Sequence, residues 1–216
     1  MMRVPTPPSP PSQESGRELH RLGEELKRRA GEILAETVER TAEPGHEVDP
    51  LVQESFERIC SSSTIAVARW IGGESIEAAI EAGRETWIIF AELAAHRAAL
   101  LDGVTRRCFA WRNVMAEIVR DSAASLGASE AACAHALNLL QLSLEFALLR
   151  MCESYELERQ RTDEQLKRRE DELSFLATHD PLTGLPNRTL VLDRVEQMLA
   201  RAARNQTQVA ALFIDL

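Results

Sequence analysis

The sequence predicts a mainly α protein: an N-terminal helical bundle, a long helical linker and then the start of an α/β domain. Three observations carry that reading. Apolar residues recur at helical spacing from Gly16 to Tyr155. Glu156–Glu172 is dense in charge yet holds neither Pro nor Gly. Val209–Ile214 is a short apolar run that reads as a fully buried strand.

Composition narrows the classes further. The chain has 216 residues, 44% of them hydrophobic, enough to build a core and to exclude a disordered chain. Aromatics are only 5%, and Ala, Leu, Glu and Arg dominate, which favours packed helices over sheets. Lys+Arg is 25 and Asp+Glu is 34, a net charge of −9, which argues against a nucleic-acid partner. No uninterrupted apolar run approaches the roughly 20 residues of a membrane span; Trp87–Ala91 is cut off by Glu92. The start lacks the apolar stretch of a secretory signal, so no export and a cytoplasmic location are expected. Cys60, Cys108, Cys133 and Cys152 lack CxxC spacing and are expected as thiols buried like small hydrophobes.

Residues 1–14, rich in Pro, are expected as a disordered tail. Residues 15–155 form the helical domain. Its first helix spans Gly16–Thr41, with Leu19, Leu22, Leu26, Ile33 and Leu34 inward, and Pro44-Gly45 ends it. Asp49-Pro50 opens a second, as cap and first-turn proline, carrying Val52, Phe56, Ile59, Ile65 and Trp70 until Gly72-Gly73. A third runs from Ser75 to Leu101 with Ile76, Ile80, Trp87, Phe90 and Leu93 inward, and Asp102-Gly103 marks a turn or kink. A fourth, Val104–Leu126, buries Cys108, Trp111, Met115, Ile118 and Val119 and is closed by Gly127. Ser129 and Glu130 open a fifth with Leu137, Leu140, Leu144 and Leu148. Trp70, Trp87 and Trp111 read as core rather than as a ligand cage.

The fifth helix is expected to continue through residues 156–178 as a linker. Leu166, Leu173 and Leu176, seven and three residues apart, make a weak coiled-coil seam. The linker therefore reads either as a dimerising stalk or as a solvated single helix. Pro181 disfavours helical geometry at Asp180 and ends it. A short amphipathic helix from Thr189 to Ala203 follows, with Leu192, Val195 and Leu199 inward. A buried strand at Val209–Ile214 would need neighbours for its backbone hydrogen bonds. No segment after Asp180 supplies them, so the chain is expected to be the front of a longer protein.

Asp180-Pro181-Leu182-Thr183-Gly184-Leu185-Pro186-Asn187-Arg188, with the helix after it and Ala211-Leu212-Phe213-Ile214-Asp215-Leu216, resembles the opening of GGDEF-type diguanylate cyclase domains. Residues 179–216 would be the N-terminal fragment of that domain. Asp180 and Arg188 have opposite charges and flank the turn, so a charge-assisted bond could lock it. Gly184 permits a positive φ. Asp215 stands at the carboxyl end of the expected strand, where open α/β sheets place ligands. The resemblance implies that Asp215 ligates Mg²⁺, helped by the backbone carbonyl of Leu216. It implies two GTP molecules joined into cyclic di-GMP, each 3′-hydroxyl attacking the other α-phosphate under two-metal activation. It also implies a homodimer, since each protomer holds one GTP. The Gly-Gly-Asp/Glu-Glu-Phe signature is absent from these residues, as is the guanine-contacting Asn, so no catalytic residue is named and these residues alone should be inactive.

Gly73–Arg159 is loosely similar to the helical sensor domain of PucR-type regulators, through Leu100–Val104, Phe109–Arg112, Leu148–Arg150 and Tyr155. Some such domains are globin-like without haem. His96 is the candidate haem ligand; its neighbours Ala94, Ala95, Ala98 and Ala99 offer no aromatic clamp, so haem is not the expected cofactor. The leading reading is a sensor-regulated diguanylate cyclase. A non-catalytic signalling or scaffold protein with a degenerate GGDEF remnant, and a haem-based sensor with the same output, are the alternatives.

Overall fold

The computed structural model describes residues 13–42, 49–96, 100–212 and 214. Among them are eight helices: α1 (Gln13–Arg28), α2 (Ala30–Thr41), α3 (Pro50–Ile71), α4 (Ile76–Ala82), α5 (Arg84–Ala95), α6 (Leu101–Leu126), α7 (Glu130–Thr178) and α8 (Arg188–Asn205). The chain divides into two compact units, residues 1–159 and 160–216.

Helix ends follow local chemistry. The Asp49 carboxylate accepts from the Leu51 and Val52 N–H groups at 2.9 and 3.4 Å, with Pro50 in the first turn. Ser75 caps α4 by accepting from Ala78 N–H at 3.3 Å. Gly127 closes α6 at φ 63°. Ser129 opens α7, its hydroxyl accepting from Ala132 N–H at 3.3 Å and paired with Glu18 of α1.

In the first unit α3 packs against α1, α2, α4, α5 and α6. Its core has two clusters. One joins Leu19, Leu22 and Leu26 of α1 to Val67, Ala68 and Ile71 of α3, with Met115 and Val119 of α6 and Leu140 of α7. The other gathers Val52, Ile59, Phe90, Leu93, Cys108, Leu144 and Met151. Burying each large side chain of this kind stabilises the fold by roughly 1.5–3 kcal/mol. The indole N–H of Trp111 donates to the Thr64 hydroxyl at 2.9 Å, a buried bond between α6 and α3. Arg40 pairs with Glu117 at 2.6 Å and Arg58 with Glu85 at 2.6 Å, exposed pairs that add little.

Several expectations need correction. The first predicted helix is two, broken at Arg29, whose φ and ψ are −90° and 9°. Its guanidinium there bonds Glu32 and reaches the Ser122 hydroxyl of α6 at 3.1 Å. The third is also two: the chain pauses at Gly83 and α5 ends at Ala95, leaving His96 extended. Gly is a weak helix former, and the pause lets α4 and α5 each lie on α3. Asp102-Gly103 is no turn; both residues lie in the first turn of α6. Of the residues along α3, Val52, Phe56 and Ile59 are buried, while Ile65 is 36% exposed. Of the thiols, Cys60 and Cys108 are buried, but Cys152 is exposed. Burial pushes Cys60 up to about 11 and Cys108 to about 12, so both are protonated and unreactive.

The expectation that no apolar run is long enough to span a bilayer does not hold for α7. This helix is long and apolar enough to cross a membrane by length and composition, its apolar half being punctuated by Asn138, Gln141 and Glu145. Its Ala132, Ala136, Leu139, Leu140, Leu144 and Met151 are buried in the two core clusters. In the second unit the described residues of Val209–Ile214 form no strand. A strand is held by ladder partners, and among the described residues there are none. Leu192 and Leu199, expected inward, are 51% and 53% exposed, and Ala202 is the one buried residue of α8.

The backbones of α1 and the end of α3 come very close at Gly23. A Cβ on Gly23 would lie 2.5 Å from the Ala68 carbonyl oxygen and 2.8 Å from Gly72 Cα. Backbone cannot yield as a side-chain tip does. Gly23→Ala is therefore expected to cost about 1–3 kcal/mol in urea unfolding. Gly16→Ala on the same helix, with nothing within 4 Å, should be neutral or stabilise by about 0.5–1 kcal/mol. Equal effects from the two would mean that the crossing is not that tight.

Candidate functional site: the turn between α7 and α8

The candidate residues Asp180, Leu182, Thr183, Gly184, Leu185, Asn187 and Arg188 come together as one closed turn. The last carbonyls of a helix have no partner within it. Here the side chain and backbone of Asn187 supply two: its Nδ2 donates to the Ala177 carbonyl and its N–H to the Thr178 carbonyl, both at 2.9 Å. The Asn187 Oδ1 accepts from Leu190 N–H at 3.0 Å, which caps the start of α8. One residue thus closes the end of one helix and the start of the next. His179 and Pro186 form an antiparallel bridge across the base.

Inside the turn, Asp180 N–H donates to the Leu185 carbonyl at 2.8 Å, and Gly184 N–H donates back to the Asp180 carbonyl at 2.9 Å. Gly184 sits at φ 69°, as its predicted role requires. The Asp180 carboxylate accepts from Thr183 N–H at 2.8 Å, the Thr183 hydroxyl at 2.9 Å and Leu182 N–H at 3.1 Å. It makes no ion pair with Arg188 among the described residues, so the suggested lock between those two charges is replaced by an Asx-type turn. The spacing Asp-x-x-Thr carried that signal. The Thr183 bonds, backbone first, hold the Asp180 carboxyl below the ordinary Asp range.

The sequence reading missed a further contact. The rings of Phe175 and His179 stack in parallel with centroids 4.6 Å apart. The signal is their separation of four residues, which puts both on one helix face. Leu182 and Leu185 point outward, 92% and 64% exposed.

The other candidates lie elsewhere. Asp215 and Leu216, the proposed Mg²⁺ ligands, are outside the described residues. Among the described residues no group of three or more His, Cys, Asp or Glu is placed to hold a metal ion. His96 caps the end of α5, with Nε2 3.9 Å from an Asp49 carboxylate oxygen and a buried Nδ1 that has no hydrogen-bond partner. It is half-buried beside the start of α3 rather than inside a helix, and lines neither cavity of the bundle.

Two outcomes test the turn. Asn187→Ala should raise the exchange rate of the Leu190 amide about tenfold, for a loss of about 1–2 kcal/mol, whereas Asn187→Asp, which keeps the acceptor, should largely spare it. In a pH titration followed by carboxyl NMR, Asp180 should titrate below the ordinary Asp value, and Thr183→Val, which removes the hydroxyl but keeps the backbone N–H, should bring it part of the way back up. The sign follows from the lowered value: the turn keeps this contribution above the ordinary Asp value and loses it as pH falls through the depressed one.

Residues 177–216 match the family model described as diguanylate cyclase, GGDEF domain. A bifunctional diguanylate cyclase/cyclic di-GMP phosphodiesterase, MucR of Pseudomonas aeruginosa, is 51% identical over 51 residues, which are 24% of this chain and 7% of that relative. The chain thus spans less than a tenth of that relative's length. No solved structure matches the chain. The likeness of Gly73–Arg159 to PucR-type sensors finds no support in these matches. The segment from residue 177 onward is thus similar to GGDEF domains, and the closed turn stands at the start of that match.

Proposed function

We propose that this protein is a sensor-regulated diguanylate cyclase, in which residues 15–155 sense, 156–178 convey and 179–216 open the cyclase domain. The observation that carries the reading is the turn itself. The match to the GGDEF family model begins with the residues that close the end of α7 onto α8. A helix end so fixed would pass on a change in the helix before it.

On this reading the substrate is GTP, two molecules giving one cyclic di-GMP. The Asp215 carboxylate and the Leu216 carbonyl would hold Mg²⁺, which neutralises charge developing on the reacting phosphate. A homodimer would bring two loaded domains face to face. Leu166, Leu173 and Leu176 are 53%, 66% and 44% exposed, an apolar stripe available for that pairing. The protein would act in the cytoplasm, where GTP is abundant.

The test is the reading frame beyond codon 216 and the activity of its full product. The signature should follow, and the purified product should convert GTP to cyclic di-GMP as a dimer. Asp215→Ala should lower the rate by about 100-fold or more without changing the dimer. Leu173→Lys should shift sedimentation toward monomer and lower activity with it. A frame that carries a ruined signature, or a dimer indifferent to Leu173, would return the protein to a non-catalytic signalling role.

A further inference from the structure

An apolar cavity of about 80 Å³ lies in the first unit, bounded by α3, α4, α5, α6 and α7. Trp70, Trp87 and Trp111, the chain's only tryptophans, all line it. Trp111 is buried at the floor, while Trp70 and Trp87 are half-buried at the rim. This departs from the expectation that they are plain core. A second void of about 20 Å³ adjoins and shares Ser63, Trp111 and Ala147 as its wall.

The lining decides what could enter. It contains no charged side chain. Its buried indole and its hydroxyls are already engaged: the Trp111 N–H donates to Thr64, the Ser143 hydroxyl to the Leu140 carbonyl, and the Ser63 and Thr86 hydroxyls lie 3.4 Å apart. A water placed here would lack the two to four partners that hold buried water, and apolar cavities of this kind bind apolar guests. An anion would be stripped of water with no cationic side chain in the lining to meet it. Aromatic faces attract cations, but the Arg150 guanidinium already lies 6.0 Å from the ring centres of Trp87 and Phe146 and opposes a second positive charge. Those two rings meet edge to face at 5.4 Å, and both belong to the aromatic lining a guest would meet.

We propose that this cavity binds a small uncharged aromatic molecule of about one ring. An apolar cavity of about 150 Å³ accepts benzene. This one is smaller, so the guest would fill it and rest against the half-buried rim. The assignment depends on the bundle alone and is independent of the cyclase reading.

The test uses the 216-residue chain with toluene as probe, and with benzoate and phenyltrimethylammonium as charged counterparts. Toluene should bind saturably at one site, move the indole N–H resonances of all three tryptophans together and raise the melting temperature. The charged analogues should bind at least tenfold more weakly. Ala147→Leu, which fills the shared wall, should weaken toluene at least tenfold with the helical circular dichroism kept; if that variant loses its fold, Ile80→Phe at the half-buried rim takes its place. Four results overturn the proposal: no saturable binding by the unaltered chain up to the solubility of toluene, indole shifts confined to one tryptophan, equal binding of a charged analogue, or undiminished binding by a folded, filled variant.

Discussion

The bundle depends on how completely α3 is covered. This helix touches five others, and each flank sets a different demand. Against α1 the two backbones nearly meet, and only a hydrogen at Gly23 fits. That closeness lets Leu19, Leu22 and Leu26 reach the core with almost no exposure. On the opposite flank the cover is two short helices, α4 and α5, broken at Gly83. Two short pieces fit a long helix less closely than one would, and the aromatic cavity lies along this flank. Tightness on one side and slack on the other are consequences of the same helix.

The turn after α7 is governed by hydrogen-bond satisfaction rather than by burial. Asp180, Leu182, Thr183, Gly184 and Leu185 are all exposed. What holds them is a closed set of short bonds: Asp180 to Thr183, Gly184 to Asp180, and Asn187 to both helix ends. Such a segment needs no core to keep its shape. The family resemblance is carried by the same residues, for the types named by the motif are those the bonds require: a short acceptor, a left-handed glycine and an amide that both donates and accepts.

Much of this was legible in the sequence. Caps announce themselves, and Asp49-Pro50, Gly127 and Asn187 lie at or beside the ends the pattern indicated. The α6 stripe of Cys108, Trp111, Met115, Ile118 and Val119 is wholly buried, because a long helix with one apolar face has one way to lie. What periodicity could not show is where a helix pauses. Arg29 and Gly83 break helices whose apolar spacing runs on through them: at Arg29 the break answers packing against α6, and at Gly83 packing on α3 adds to glycine's weak helix preference. Ile76, Ile80 and Trp87 carry the right spacing for a core yet stay half-buried at a cavity rim. Spacing reports a face, not whether its neighbours fill the space before it. The run Val209–Ile214 has strand composition, but composition provides no ladder. In the turn, charge alone suggested Arg188 as the partner of Asp180, whereas the nearer hydroxyl and amide of Thr183 won.

The double role of Asn187 separates length from composition in the loop it closes. Adding or deleting a residue between Thr178 and Asn187 would uncouple two helix ends in a single event. Exchanging Leu182, whose side chain meets almost only solvent, would disturb neither. Natural variation at this corner should thus be conservative in its count of residues and liberal in its outward side chains, so that the corner serves as a spacer of constant span whose outer surface is free to be retuned.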